Sequence, residues 1–287
     1  MQNKKLIYGS LIFLFFIAVA LGFIVFSLKK DKDIKIIFLD VGQGDAILIE
    51  EGANQVLIDG GRSGRTLLEK LGENMPFWDR KIETMIVTHP DADHYGGLIS
   101  VLDRYEVKNI IKTDATKDSK EWKIFEEKIS NENAENIRSI YGMNIIFANG
   151  ANFQTIYPFK KIENSKNSNK DSVVARLDFG ENSFLFTGDI TSETEKLLVD
   201  SGIDVNVDVL KLAHHGSKNS SNDKFLDKTS PEDAIISVGA KNSYGHPHKE
   251  VLEKLKNRLV RIWRTDEDGD IIYECKNINE KCQVFAN

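Results

Sequence analysis

Short apolar runs alternate with polar, glycine-containing turns along most of the chain. Three such runs follow one another closely, at 34–40 (IKIIFLD), 45–51 (DAILIEE) and 54–61 (NQVLIDGG). This spacing predicts an opening meander of β-strands. The same strand character is found again further along the chain, in the segments MNIIFA, VVARLDFG, NSFLFTGD, VDVLKLA, DAIISVG and LVRIWRT.

Segments with helical spacing of apolar residues lie between these strands. They are RTLLEKL, GLISVLDRY, WKIFEEKI and HKEVLEKLKNR. SETEKLLVDSG has in addition a Ser start, an early Glu and a closing Gly, which are the signals of a capped helix. Hairpins in each half of the chain, with helices between them, predict an α/β (α+β) fold in which outer helices cover two packed sheets.

The amino-terminal segment has a different pattern. The stretch 6–28 is an uncharged run dense in Phe, Ile and Leu, and about 20 such residues cross a bilayer as a helix. It lacks a small-residue cleavage site, which favours a retained signal anchor over a removed signal peptide. We therefore predict a transmembrane segment in 1–33 and a separate folded domain in 34–287. The chain would then be anchored in the membrane through its first helix.

Two features bear on the side of the membrane that the domain would face. The lysines around 6–28 slightly favour a cytoplasmic domain. Cys275 and Cys282, in contrast, flank the polar loop KNINEK between two strand-like runs, where a hairpin would bring them within disulfide range. Two unbonded cysteines fit this pattern as well. Because disulfides persist mainly outside the cytoplasm, we expect the domain 34–287 to be extracellular, with the pair oxidised.

Length and charge limit the classes of function. With 287 residues and 41% apolar content, the chain can bury a full core. The formal charge is −6 overall, and residues 34–287 carry 33 basic and 42 acidic side chains, a charge of −9. A net-acidic domain is not typical of tight, non-specific DNA binding. The net charge therefore argues against a nucleic-acid substrate but is compatible with one.

The segment THPDADHYGG (88–97) concentrates metal-binding side chains. His89, Asp91, Asp93 and His94 fall within six positions. The apolar run before them stops at Pro90, which cannot donate to a sheet, and a helical pattern follows two glycines. The cluster is thus predicted to lie on a strand-to-helix turn.

All the histidines of the chain follow predicted strands. They form three groups, HPDADH, AHHGS and YGHPH, which contain His89, His94, His214, His215, His246 and His248. This clustering predicts one shared metal site. Asp189 also follows an apolar run and is a candidate bridging ligand or a helix N-cap, while Asp59 would orient a ligand or serve a turn. Imidazole and carboxylate ligands suit Zn or Mn.

These motifs resemble those of the metallo-β-lactamase superfamily, whose signature HxHxDH lies on a strand-to-helix turn and precedes a Gly-Asp block and later histidines. They are most similar to one branch, the hydrolase domain of the ComEC-type competence DNA-uptake channel. The similar blocks, in order, are FLDVGQGDA, LIDGG, THPDADHYGG, LFTGDI, VLKLAHHGSKNSS, ISVGAKNSYGHPH and RTDEDGDI. The resemblance implies a four-layer αββα sandwich over 34–287, a binuclear metal site and hydrolase activity. The many membrane helices of the channel have no counterpart here.

The resemblance also implies roles for individual residues. It assigns His89, Asp91 and His215 to one ion, Asp93, His94 and His246 to the other, and Asp189 to both. His214 and His248 remain as catalytic groups for substrate contact or proton delivery, with Asp59 as an orienting residue. Two departures from the general signature are Asp91 in place of its second histidine and the absence of a histidine between His94 and His214. The choice within His214/His215 and within His246/His248 stays open.

Two divalent ions favour hydrolysis of a phosphodiester, with DNA as one candidate substrate. Polar residues after the histidine pair are candidate substrate contacts or a loop that caps the next helix: Ser217, Lys218, Asn219, Ser220 and Ser221. Tyr244 would stack on a base or an organic cation, or only pack. Alternatives are a phosphorylcholine-esterase-like hydrolase of envelope polymers or small phosphoesters, and a non-catalytic binding protein with the same fold. The sequence indicates no protein partner.

Overall fold

The predicted meander begins a large β-sheet in the computed structural model, which describes residues 2–29, 33–162 and 167–287. The strands are β1 (Ile34–Phe38), β2 (Ile47–Glu51), β3 (Asn54–Ile58), β4 (Lys81–Val87), β5 (Glu106–Lys112), β6 (Glu135–Arg138), β7 (Asn144–Ile146), β8 (Asn152–Tyr157), β9 (Val174–Phe179), β10 (Asn182–Phe186), β11 (Val209–Lys211), β12 (Asp233–Ile236), β13 (Arg261–Arg264), β14 (Ile271–Cys275) and β15 (Gln283–Ala286).

Helices connect these strands. They are α1 (Gln2–Lys29), α2 (Gly64–Asn74), α3 (Ala92–Tyr95), α4 (Leu98–Val101), α5 (Lys120–Asn131), α6 (Ser192–Asp200), α7 (Asp223–Thr229), α8 (Lys249–Asn257) and α9 (Thr265–Asp268), with 3₁₀ turns at Asn169–Asp171 and Ala213–Gly216. Ser63 and Ser119 cap α2 and α5 through their side chains, as Ser at an N-cap commonly does.

The strands form two sheets over the described residues. One has the order β15-β14-β1-β2-β3-β4-β5-β6 and the other β13-β12-β11-β10-β9-β8-β7. In each sheet one half is antiparallel and the other parallel: β3 to β6 run parallel in the first sheet, and β10 to β13 in the second.

Apolar side chains hold the two sheets face to face. Aromatic rings are prominent in the core between them, where Phe38 from the first sheet packs on Phe186 from the second. A second apolar cluster joins the outer face of the first sheet to α2, α4 and α5, and a third joins the second sheet to α6, α7 and α8. The layers follow the order αββα, and the prediction of a two-sheet α/β sandwich is confirmed.

The parallel halves of the sheets determine where the site lies. Since parallel strands end at the same edge of a sheet, the turns after β3 and β4 emerge together, and so do those after β10, β11 and β12. The turns of the first sheet carry Asp59 and His89, and those of the second carry Asp189 and His215. The predicted metal-binding residues therefore gather at one edge of the sandwich.

The prediction of a membrane anchor is wrong. The stretch 6–28 is helical as expected, within α1. A membrane-spanning helix must be long and apolar enough to cross about 30 Å of hydrocarbon, and no helix in the described part of the chain meets that requirement. The expected localisation, which depended on this anchor, is withdrawn with it. The predicted boundary after residue 33 adjoins residues 30–32, which lie outside the described ranges.

Cys275 and Cys282 form a disulfide bond. Cys275 ends β14 and Cys282 precedes β15, its antiparallel neighbour, so the hairpin predicted from the KNINEK loop brings the two residues together. Their Cα atoms are 4.2 Å apart. Of the alternatives left by the sequence, the structure contains the bonded pair.

Candidate metal centre

The turn that follows β4 presents two imidazoles side by side. The ring centroids of His89 and His94 are 4.1 Å apart, and both side chains are buried. Nε2 of His89 lies 3.8 Å from Oδ2 of Asp91. The other oxygen of Asp91 accepts hydrogen bonds from Lys117 Nζ at 2.7 Å and from the Ser168 hydroxyl at 2.8 Å. A lysine and a serine thus hold Asp91 at the rim of the cluster.

Asp189 lies at the centre of the site. Its Oδ2 is 3.4 Å from Nε2 of His94, which belongs to the first sheet, and 3.4 Å from Nε2 of His215, which belongs to the second. Nε2 of His215 is also 3.6 Å from Oδ2 of Asp93. One carboxylate therefore faces imidazoles from both sheets, as a bridging ligand must.

Several buried atoms at this site have no hydrogen-bond partner within the described residues. They are Oδ1 of Asp189 and the Nε2 atoms of His89, His94 and His215. A buried polar group left unpaired costs about 1–3 kcal/mol, so four such atoms directed at one place indicate a ligand. The ligand atoms lie within 4.8 Å of one another in four overlapping groups, His89/His94/Asp189, Asp93/His94/His215, Asp45/Asp59/His94 and Asp45/Asp189/His215. Nitrogen and carboxylate oxygen donors in such groups fit divalent metal ions.

The observed groups differ from the pairing that the resemblance implied. His215 lies with Asp93 and His94 in the structure, and not with His89 and Asp91. His246, expected as a ligand beside Asp93, is further out, with its ring centroid 6.3 Å from that of His215. Its Nδ1 is nevertheless buried without a partner in the described part of the chain. The geometry thus favours His215 over His246 at the second group.

The two consecutive histidines after β11 adopt an unusual backbone. His214 has φ 52° and His215 φ 55°, a left-handed conformation that non-glycine residues seldom adopt and that often marks functional sites. It directs His215 into the buried centre, while His214 is only half-buried. Nε2 of His214 is 3.8 Å from Oδ2 of Asp189, and Asn169 Nδ2 is 3.5 Å from the same ring. His214 therefore lies on the accessible side of Asp189.

Asp59 orients one of the candidate ligands. Its Oδ2 accepts a hydrogen bond from Nδ1 of His94 at 2.8 Å, which leaves Nε2 facing Asp189 at 3.4 Å. Both oxygens of Asp59 also accept from Thr88, through the backbone N–H at 2.8 Å and the hydroxyl at 2.6 Å. This is the common arrangement of a carboxylate behind a metal-binding histidine. Of the two roles left open by the sequence, the structure favours the orienting one.

Asp45 and Lys211 are parts of the site that sequence reasoning missed. Both are buried, and Lys211 Nζ lies 2.8 Å from Oδ2 of Asp45. The signals were present, since Lys211 interrupts the apolar strand VLKLA and Asp45 follows the GQG turn. Lys117 and Ser168 were also missed. Ser168 comes from a polar loop of which residues 163–166 lie outside the described ranges.

The electrostatics of the cluster favour cations. Burial, together with the nearby charge of His94, lowers the pKa of His89 to about 4. Burial also opposes the charged form of His215, but the carboxylates of Asp189 and Asp45 outweigh it and raise this pKa to about 10. The pKa of Asp189 lies well below its usual range, because the charges of His215 and His94 outweigh burial. The Asp189 carboxylate is thus ionised and attracts positive charge.

The predicted substrate-binding run divides into buried and exposed residues. The Ser220 hydroxyl donates to the Ile190 carbonyl and the Ser221 N–H to Glu195, so these residues join the loop to α6. Ser217 is buried as well. Lys218 and Asn219 are exposed, and they are the members of this run available to a substrate.

The YGHPH segment forms one side of the rim. Tyr244 is 61% exposed, and its ring stacks on His246 with a centroid distance of 5.7 Å. His248 caps α8, lies 5.0 Å from His246 between centroids, and accepts a hydrogen bond from the Lys218 N–H at 3.4 Å. Burial and the charge of His214 lower the pKa of His246 to about 4. These rings line the rim of the site, outside the buried carboxylates.

A family model confirms the class of protein that this fold and site define. The model described as "Metallo-beta-lactamase superfamily" matches residues 39–138 and 165–240. The chain belongs to this superfamily and is a metal-dependent hydrolase-like protein of the metallo-β-lactamase fold.

The relatives include Competence protein ComA of Neisseria gonorrhoeae, which is 27% identical over 244 residues, covering 80% of this chain and 30% of that protein. ComE operon protein 3 of Bacillus subtilis is 32% identical over 257 residues, covering 83% of this chain and 33% of that protein. Recombination protein 2 of Haemophilus influenzae is 32% identical over 238 residues, covering 81% and 28%. The chain thus spans about a third of the length of these relatives. They confirm the resemblance and are consistent with the ComEC-type branch.

A solved structure supports the fold. The metallo-beta-lactamase fold protein YhfI from Bacillus subtilis superimposes with a TM-score of 0.52 at 12% identity, covering 80% of this chain and 95% of that one. At this identity the likeness concerns the fold alone.

Proposed function

We propose that this chain is a binuclear metal-dependent phosphodiesterase, with DNA as the first candidate substrate. The observation that carries the proposal is the position of Asp189, whose carboxylate lies between imidazoles of the two sheets at 3.4 Å from each. The arrangement suits two neighbouring ions that share one carboxylate. Zn and Mn are both compatible with the donor set.

When bound, a pair of divalent ions supplies an activated water and neutralises the charge of a phosphodiester during displacement. His89, Asp93, His94, Asp189 and His215 would hold them. The remaining steps belong to other side chains. His214, half-buried beside Asp189, would deliver a proton to the leaving oxygen, a role that contributes typically about 10²–10⁴-fold to rate.

Positive charge at the rim would bind the substrate phosphate. Lys117 is half-exposed with its Nζ at the edge of the cluster, 2.7 Å from Asp91, and Lys218 is an exposed residue whose backbone N–H donates to His248. These lysines offer anion contacts within a domain of formal charge −9. DNA is the first candidate because the relatives are named for competence and recombination.

The test is hydrolysis by the purified full chain. We expect cleavage of single- and double-stranded DNA and of bis(p-nitrophenyl) phosphate with Mn²⁺ or Zn²⁺, and loss of cleavage with EDTA. Asp189→Asn and His94→Ala should be nearly inactive and should lose bound metal, since both residues contact the centre. Asp208→Asn, at the opposite edge of the sheet, is the matched carboxylate control and should remain active.

A second candidate is a phosphorylcholine-esterase-like activity on envelope polymers or small phosphoesters. The exposed ring of Tyr244 beside His246 favours it, because aromatic faces attract quaternary ammonium groups. Hydrolysis of p-nitrophenylphosphorylcholine, reduced at least tenfold by Tyr244→Ala while DNA is not cut, would select this candidate. A wild-type chain that binds no divalent metal would select the non-catalytic binding protein instead.

A further inference from the structure

Lys211 is a charged side chain enclosed by the fold. It is the last residue of β11, and its side chain has no exposed surface. Its Nζ lies 2.8 Å from Oδ2 of Asp45 and donates to the Leu212 carbonyl at 3.0 Å. Removing an ammonium group from water is strongly unfavourable unless a partner compensates it. Lys211 and Asp45 thus form a buried ion pair that links the two sheets directly behind the metal centre.

Asp45 connects this pair to His215. Its second oxygen, Oδ1, lies 3.3 Å from Nδ1 of His215. The hydrogen on that nitrogen is directed to the Ser237 carbonyl at 2.8 Å, so Asp45 acts on the ring mainly through its charge. Nε2, on the other side of the ring, faces Asp93 and Asp189. The order of groups is Lys211, Asp45, His215 and then the metal centre.

Asp45 is itself a candidate metal ligand, since its carboxylate lies within 4.8 Å of ligand atoms of Asp189 and His215. Lys211 argues against that role. A cation on Asp45 would lie beside the ammonium group, and like charges repel strongly in a buried environment. The charge of Lys211 therefore prevents Asp45 from binding a metal ion and leaves its carboxylate free to interact with His215.

We propose that Lys211 and Asp45 are a positioning pair for His215: the lysine keeps Asp45 from binding metal, and the carboxylate strengthens His215 as a ligand. The proposal depends on the metal centre of the proposed function. It concerns metal affinity, so it is tested separately from catalysis.

The test compares Asp45→Asn, Lys211→Met and the double variant D45N/K211M in the full chain. Melting temperature is measured for each, and the affinity and stoichiometry of Zn²⁺ and Mn²⁺ are measured by competition with a chelating dye. The matched control is D233N/R261M. It removes an ion pair with contacts of 2.5 and 2.6 Å, in which Asp233 is buried, from the other edge of the same sheet.

Each single variant should melt at a lower temperature, because it leaves one buried charge unpaired. The double variant should regain most of that loss. It should still bind one of its two ions about 10- to 100-fold more weakly than the wild type, as expected when the group behind a metal-binding histidine is lost. The control should alter the melting temperature and leave metal affinity within about threefold.

Two results would overturn the proposal. Wild-type affinity in the double variant would reduce the pair to a structural role, and complete loss of one ion in Asp45→Asn would make Asp45 a ligand. Should Lys211→Met fail to fold, Asp45→Asn is judged by the same affinity criterion. A wild type that binds two ions without cleaving a phosphodiester would refute the proposed activity and leave this comparison valid.

Discussion

The left-handed backbone at His214 and His215 sends these two neighbouring side chains to different parts of the site. Left-handed conformations cost a non-glycine residue roughly 1–2 kcal/mol each, and here two occur in succession. The consequence is that one imidazole enters the buried centre while the other stays at its rim. Backbone strain of this kind persists where the surrounding contacts enforce it, commonly at functional sites.

The two histidines should therefore respond differently to substitution. We expect His215→Ala to lose one equivalent of bound metal, whereas His214→Ala keeps both ions and lowers kcat by about 10²–10⁴-fold. Elemental analysis of the purified variants, combined with steady-state kinetics, measures both effects. Metal loss in His214→Ala with retention in His215→Ala would reverse the two roles.

Asp59 provides a second test at the scale of one residue. Asp59→Asn removes the charge behind His94 but retains a similar volume, so metal affinity should fall by about 10- to 100-fold. The measurement is the same dye competition, with Asp208→Asn as the control. Unchanged affinity in Asp59→Asn would leave that residue with a role in the turn only.

At the scale of elements, the β1–β2 turn is packed directly on the metal-binding turn. Gly44 has φ +108°, and a Cβ added there would lie 1.8 Å from the Asp93 carbonyl oxygen. Asp45 N also donates to that carbonyl at 3.3 Å. The glycine thus permits the approach that brings Asp45 to the site.

Gly44→Ala should destabilise the protein by about 3 kcal/mol, from steric overlap and backbone strain together. It should also weaken metal binding, because the ligand-bearing turn must move. The matched control is Gly72→Ala within α2, where nothing lies within 4 Å and Ala should stabilise by about 1 kcal/mol. Equal unfolding free energies for the two variants in urea would contradict this account.

The β14–β15 hairpin carries a separate stabilising device. The Cys275–Cys282 bond closes a short loop with a sequence separation of 7, and loop-closure entropy predicts about 2–3 kcal/mol for a loop of that size. The double variant C275S/C282S should lose this amount in urea unfolding and retain metal binding, since the hairpin lies apart from the ligands. Addition of a reductant to the wild type should reproduce the shift, and no shift would contradict it.

For the whole molecule, metal ions bound at the candidate centre would clamp the two sheets together. Its candidate ligands come from turns of both, and buried atoms without partners converge there. Ions that bind only the folded state stabilise it by mass action. At metal concentrations about 1,000 times Kd this amounts to about 4 kcal/mol, which for a chain of this size raises Tm by about 10 °C.

Chelation should therefore lower Tm by about that amount, and Asp189→Asn should abolish the difference between metal-loaded and chelated protein. Differential scanning calorimetry with and without EDTA measures it. A wild-type Tm that does not respond to EDTA would show that the sheets are held without metal.

Much of this architecture could be read from the sequence alone. Hydrophobic periodicity is a local property, so it identified the opening strands, the helices between them and the residues at strand ends. It missed β5, β6 and β8. For β6, a largely exposed edge strand, the reason is that a strand without a buried face carries no apolar alternation. It also led to the wrong prediction for the uncharged run at 6–28, because a count of apolar residues alone predicted a membrane span that is absent from the described part of the chain.

Residue types clustered at strand ends likewise indicated the metal-binding set. The reason is that the ability of a histidine or aspartate to bind metal is a property of the side chain itself, which the sequence gives directly. What the tertiary structure alone decided is which groups meet. The pairing of His215 with Asp93, the left-handed turn at His214, and the contact of Lys211 with Asp45 all depend on how two sheets pack against each other. Such contacts join positions far apart in the chain, and no local pattern encodes the distance between them.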